Sequence, residues 1–554
     1  MRLRLRGATI IRAVGRRLVM LAPLVLIGSV VRSATGQTPA HAAHGLGTVS
    51  FPISCSPAAA AEFTRGVALL HHMTYPRARE AFEQTARLDS TCAMAQWGIA
   101  MTLFQPLWPT RPGPAELRQG WDAVQRARSL QPPTDRERLF VAAAAAFFED
   151  PASPDYWQRI RRWEQAMQKA YAAFPRDPEV AALYALAHLA VTPPNVVSVA
   201  NADKAAAILL DVYKQNPDHP GAMHYLVHAD DVPGREREQL DVVQKYDRLA
   251  PDNPHALHMP THIYVRLGDW DAAIDGNLRA ADAALAQPAG DRGQFVWDEF
   301  PHAVEYVVYA YLQRGADEKA AAQATRLRTT ARLQPSFKTA FHLASTEARY
   351  ALERHAWTEA AALIPRDSPT IEWDRFPWAE GITWFARGLG AARTGKLREA
   401  RTAADRLGVL EDRAATSGEE LFARNIRILR LEVHAWIAHA EQHADSSVSL
   451  MRQAAELELA TPKHAVTPGP TLPAFELLGD LLLDQKRPVE ALAAYERALS
   501  LYPHRFNALI GAARAAHASG DHARARAHYQ QLITVATGST RSSVIAEARA
   551  RLRR

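Results

Sequence analysis

From about residue 57 onward, apolar residues recur at intervals of three and four, and no stretch shows the strict alternation of a half-buried strand. That period predicts helices almost throughout, alanine-rich and punctuated by proline and glycine. The chain is 554 residues long, enough for three or four ordinary domains or for one long array. A fixed period decides for the array. Phe475, Gly479, Ala491, Tyr495, Ala498 and Pro503 are followed by Gly520, Ala525 and Tyr529, with Ala491 to Ala525 and Tyr495 to Tyr529 both 34 residues apart. Small residues at fixed places let two antiparallel helices approach closely, and large ones fill the gap to the next pair.

These residues resemble the tetratricopeptide repeat (TPR), with small residues at repeat positions 8 and 20 and an aromatic at 24. Further copies are carried by Gly66, Ala78 and Phe82; by Tyr264, Gly268, Ala273 and Ala280; by Tyr311, Gly315 and Ala320; and by Trp384, Gly388, Gly395 and Ala400. The resemblance implies an all-α fold, a TPR-type helical-hairpin solenoid wound as a right-handed superhelix. Long Pro-rich loops interrupt it at 105–114, 192–201, 287–301, 364–377 and 461–473. The expected organisation is a signal peptide over 1–42, N-terminal helical repeats over 43–215 and central His-rich TPR repeats over 216–370. Helical repeats over 371–460 and a C-terminal TPR pair over 461–554 complete it. The phrases at 51–55, 92–98 and 463–470 and the histidine segment below also resemble an exported bacterial TPR family of unknown function, which supplies no reaction to carry over.

Composition changes the picture mainly at the N-terminus. The net charge of +6 sits in the first 42 residues, which hold seven arginines and no acid or lysine, so the remainder carries −1. A near-neutral body gives no argument for a nucleic-acid partner. The arm itself reads as an export signal: a basic segment ending at Arg17, an apolar run from Leu18 to Val31 and an A-x-A site at Ala40-His41-Ala42. A run of about 14 residues is short for a membrane span. The expected location is periplasmic or secreted, with anchoring to the inner membrane by an uncleaved arm as the alternative and the only membrane contact foreseen. Two cysteines exclude a disulfide-rich scaffold and a Cys-ligated zinc module. In an oxidising compartment Cys55 and Cys92 are expected to form one bridge, two buried free thiols being the alternative.

Candidate chemistry concentrates in two adjacent repeats. The segment 216–228 aligns without gaps to 250–262 at an offset of 34, matching His224 to His258 and His228 to His262. Each pair is spaced i, i+4 on an expected first helix, so both rings share one face. Six of the 22 histidines fall in 219–262, where an even spread would place about two. Paired imidazoles with a carboxylate are what Zn²⁺ or a similar divalent transition metal requires, so the candidate ligands are His224, His228, His258, His262 and Asp230. The same residues also suit a metal-free polar groove or a structural cluster. His255, His302, Glu305, Tyr309, Lys463 and His464 are expected to line the concave groove. The pair His71 and His72 is expected at the surface, Glu476 and Asp480 on a solvated face, and Trp97, Trp108, Trp121, Trp157 and Trp163 in the inter-repeat core.

No nucleophile elbow or phosphate loop is present in a strand–helix context, so catalytic residues are unassigned. The sequence therefore points to an exported TPR scaffold binding a peptide, protein or metal-containing ligand in a His-lined groove. The alternative is a metal-dependent enzyme using a multi-His site.

Overall fold

The computed structural model describes residues 45–108, 111–153, 155–193, 196, 198–290 and 293–553. The expected signal over 1–42 lies outside them. Helices follow one another from Pro57–His71 to Ser542–Leu552; the described strands are only the two-residue pair Pro288–Ala289 and Phe295–Val296. Each helix packs mainly on its neighbours in sequence, as a stack of helical hairpins must. The all-α repeat solenoid expected from the 34-residue period is therefore present. Among the described residues no helix is long and apolar enough to cross a membrane.

The repeat signature has a direct packing cause. The Tyr495 ring lies between Gly479 of its own hairpin and Gly511 of the next; a Cβ added at either glycine would come within 2.7 and 2.4 Å of it. Phe82 is clasped in the same way by Gly66 and Gly98, at 2.7 and 2.3 Å. The aromatic is thus the spacer between consecutive hairpins, and the glycines make room for it.

The two histidine-bearing repeats are started by equivalent devices. His219 caps the helix Pro220–Asp230, its Nδ1 accepting from Ala222 N at 3.1 Å, and Asn253 Oδ1 caps Pro254–His258 through Ala256 N at the same distance. In both, proline occupies the first turn, where its missing N–H costs nothing. The second repeat then differs. Pro260 divides the counterpart helix into Pro254–His258 and Pro260–Leu267, and His262 N bonds back only three residues, to Met259 O.

A disulfide joins Cys55 to Cys92, tying the extended lead-in to the end of the first hairpin.

The chain curls so that the concave face of the central repeats is covered by its C-terminal part. The C-terminal hairpins return against the central repeats: Trp270 bonds His504 O, Thr540 N bonds Gly315 O, and Arg541 pairs with Asp317. The loop 463–472 is drawn inward. Arg349, 1% exposed, donates to the carbonyls of Gly469 and Pro470 at 2.6 Å each, and Lys463 Nζ meets Asp231 at 2.9 Å. The faces that an open solenoid would present to solvent are here an interior.

Candidate metal centre

That interior holds the histidines. His224, His255, His258, His262 and His302 are all buried and His228 nearly so. Their rings run in sequence: His224–His255 5.0 Å between centroids, His255–His258 6.4 Å, His258–His302 4.2 Å and His302–His342 4.6 Å. The single four-histidine site expected from the i, i+4 pairs does not form. Instead each pair recruits a third ring. His224 and His228 meet His255, and His258 and His262 meet His302; within each trio one nitrogen per ring lies within 4.8 Å of the others. His255 and His302, placed by sequence in the groove lining, thus complete the two groups.

The first trio is short of hydrogen bonds. His224 Nδ1 donates to the His71 carbonyl at 2.6 Å, which leaves Nε2 as a bare lone pair. His224 Nε2, His228 Nε2 and both His255 nitrogens are buried without a hydrogen-bonding partner. Burial holds the His224 ring far below the usual histidine range and the His228 ring at about 3, so both are neutral. Beside them is Glu299. Its Oε1 stands 3.5 Å from His255 Nδ1 and its Oε2 is unpartnered. Burial would raise this carboxyl, but Lys338, paired with it, outweighs the burial and keeps it ionised.

The second trio is better braced. His258 Nδ1 meets Asn277 Oδ1 at 2.6 Å, His262 Nδ1 meets Asp231 Oδ2 at 3.0 Å, and His302 Nδ1 meets His342 Nε2 at 2.8 Å. His342 in turn reaches Glu305 Oε2 at 3.0 Å. Burial lowers the His258, His262 and His302 rings, the first and last strongly. Asp231 remains ionised against its burial because Lys463 and Arg266 both touch it.

A third group, His71, Glu179 and His219, has an ordinary explanation. His71 Nε2 and His219 Nε2 face the two oxygens of Glu179 at 2.8 and 3.3 Å, and His71 Nδ1 meets Tyr225 OH at 3.0 Å. His71 and His72 are fully buried, where the sequence suggested the surface.

Other expected site residues fall elsewhere. Asp230 turns from the histidines to Arg235, 3.0 Å away, and its burial raises it to about 6. Glu305 is enclosed by His342, Ser345 and Arg349. Tyr309 accepts from Arg505 at 3.0 Å, and Glu476 pairs with the same arginine instead of facing solvent. Asp480 accepts from Tyr495 OH at 2.5 Å. Lys463 and His464 line a cavity of about 1030 Å³, together with Trp108, Trp157, His228, Asp231 and Arg266. Trp97 and Trp163 are core. Sequence reasoning missed the bracing residues Asn277 and His342, and also Tyr306. His342 stands 40 residues after His302, outside the 34-residue register, and an isolated asparagine or tyrosine carries no motif.

The tetratricopeptide repeat family model matches residues 482–552. Among solved structures, a tetratricopeptide repeat protein from Parabacteroides merdae is 14% identical; the match covers 54% of this chain and 99% of that one, at a TM-score of 0.28. A likeness that low adds nothing to the geometry above. No curated protein matches the chain. Residues 482–552 thus match tetratricopeptide repeats, a kind of repeat that generally mediates protein–protein interactions.

Proposed function

We propose that this protein is an exported helical-repeat scaffold that holds a divalent transition metal on His224, His228 and His255, at the wall of a ligand cavity. One observation carries the reading: buried ring nitrogens converge within 4.8 Å with no hydrogen-bond partner. Each such orphan costs about 1–3 kcal/mol, and an ion would remove that cost at one nitrogen of each of the three rings. Three imidazoles suit Zn²⁺ and its borderline neighbours, and three protein ligands leave a fourth position for a ligand or water. His228 lines the cavity, so the free position has access to whatever the cavity holds. Trp108, Trp157 and Tyr156 on the same wall suit a peptide or another ligand with apolar groups, anchored by a donor atom on the ion. The Cys55–Cys92 bridge and the basic-then-apolar arm of residues 1–42 support an exported location.

The experiment is zinc titration of chelator-stripped protein, with bound metal counted by elemental analysis. One equivalent should disappear in His255→Ala while the helical spectrum stays unchanged. Wild-type protein that takes up no metal would leave a metal-free polar cavity as the reading.

A further inference from the structure

The second trio is organised more completely than the first. The hydrogen bonds behind its rings place a hydrogen on each Nδ1. Asn277 Nδ2 donates to Ala273 O at 2.8 Å, so its Oδ1 faces His258 and can only accept; His258 Nδ1 therefore carries a hydrogen. Asp231, ionised against Lys463 and Arg266, accepts from His262 Nδ1. Glu305, paired with Arg349 at 2.7 Å, accepts from His342 Nδ1. His342 Nε2 is then the acceptor for His302 Nδ1–H. In all three rings the protein side has claimed the Nδ1 hydrogen, and each neutral ring turns a bare Nε2 lone pair away from its brace.

Two of those lone pairs, His258 Nε2 and His262 Nε2, face one another at 2.9 Å. With both hydrogens on Nδ1 there is no donor between them, so the contact is repulsive unless a cation joins them. Tyr306 adds a second mark. It is fully buried, its ring centroid lies 4.7, 5.5 and 5.1 Å from those of His258, His262 and His302, and its hydroxyl has no partner. Outer hydrogen bonds from carboxylate, amide and a His–Glu relay are how metal-ligating histidines are held to one tautomer.

We infer that His258, His262 and His302 bind a second divalent transition-metal ion through their Nε2 atoms, with the Tyr306 hydroxyl placed to hydrogen-bond an oxygen ligand of that ion. The inference shares with the proposed function the premise of a metal-binding interior, but it rests on separate residues. The two trios adjoin through His255 and His258, so the interior would carry a pair of ions, one at the cavity wall and one deeper.

Zinc titration of stripped full-length protein tests this, with stoichiometry read by elemental analysis. Wild type should hold two ions, His302→Ala one, His255→Ala one, and the double variant none. A wild type with a single ion that survives His302→Ala overturns the second site and leaves the first. A single ion lost in His302→Ala but kept in His255→Ala overturns the first site and supports this one. No ion at all overturns both. Anomalous scattering at the zinc edge from wild-type crystals grown with zinc needs no variant. A peak about 2.0–2.1 Å from the three Nε2 atoms supports the site; a filled first trio beside an empty second one overturns it.

Discussion

Trp270 donates its indole N–H to the backbone carbonyl of His504 at 2.9 Å, across 234 residues of sequence. Around that bond the turn at Gly268 abuts Pro503 and His504, and the turn at Gly315 abuts Phe506 and Ser539. Two helix ends of the central repeats are thereby seated on the C-terminal hairpins. This contact makes an enclosed interior out of what the repeat pattern alone would leave as an open face, and it buries the histidines.

The seat can be tested at Gly268. Its φ is +68°, and an added Cβ would lie 2.6 Å from Pro503 O. Gly395 has φ +76° with nothing within 4 Å, so Gly395→Ala carries only the left-handed strain, about 1–2 kcal/mol. Gly268→Ala should cost clearly more in urea unfolding. Equal losses would mean that the two surfaces do not press together in solution.

Arg505 is fully buried and pairs with Glu353 and Glu476 while donating to Tyr309. Arg505→Met should cost about 3–5 kcal/mol, because it strands two buried carboxylates without a counter-charge. Adding Glu353→Gln and Glu476→Gln should recover part of that loss. A triple variant no more stable than Arg505→Met would argue against uncompensated charge as the cause.

The Cys55–Cys92 bridge closes a loop with a sequence separation of 37. Loop-entropy arithmetic gives about 4 kcal/mol for its loss. The Cys55→Ser, Cys92→Ser double variant should therefore melt well below the oxidised protein. Thiol titration of the unreduced, denatured wild type should find no free thiol.

His464 supplies a pH test away from the histidine trios. Its ring sits among Phe337, Trp378 and Phe422 and accepts from Val466 N. Burial, reinforced by Lys463 and Arg111, lowers it to about 3. The unfolded chain takes up this proton near pH 6.5 and the folded one does not until about 3. The resulting stability is complete above about pH 6.5 and is lost as pH falls, at up to about 1.4 kcal/mol per unit. His464→Phe should show a shallower acid slope between pH 6 and 4 in the same unfolding assay. An unchanged slope would place a charged or water-exposed His464 in the folded state.

Sequence alone determined the helical hairpins, because a local period of small and aromatic residues is itself the packing rule: Tyr495 between Gly479 and Gly511 is a nearest-neighbour relation. It also singled out His224, His228, His258 and His262, whose 34-residue repetition survives in the fold in register, although the second pair is shared between two shorter helices. It could not decide how those rings group. Partition into two trios depends on His255 reaching back to His224 and on His302 approaching from the next hairpin. Register and side-chain direction set both contacts, and Pro260 divides the helix that carries His258 and His262. Nor could it foresee Asn277 and His342 behind the rings, since a hydrogen bond between residues 19 or 40 apart leaves no periodic trace. Burial of the whole cluster was decided last. It comes from the closure of Trp270 on His504 and the inward loop 463–472, contacts made across 120 to 234 residues that no local pattern encodes.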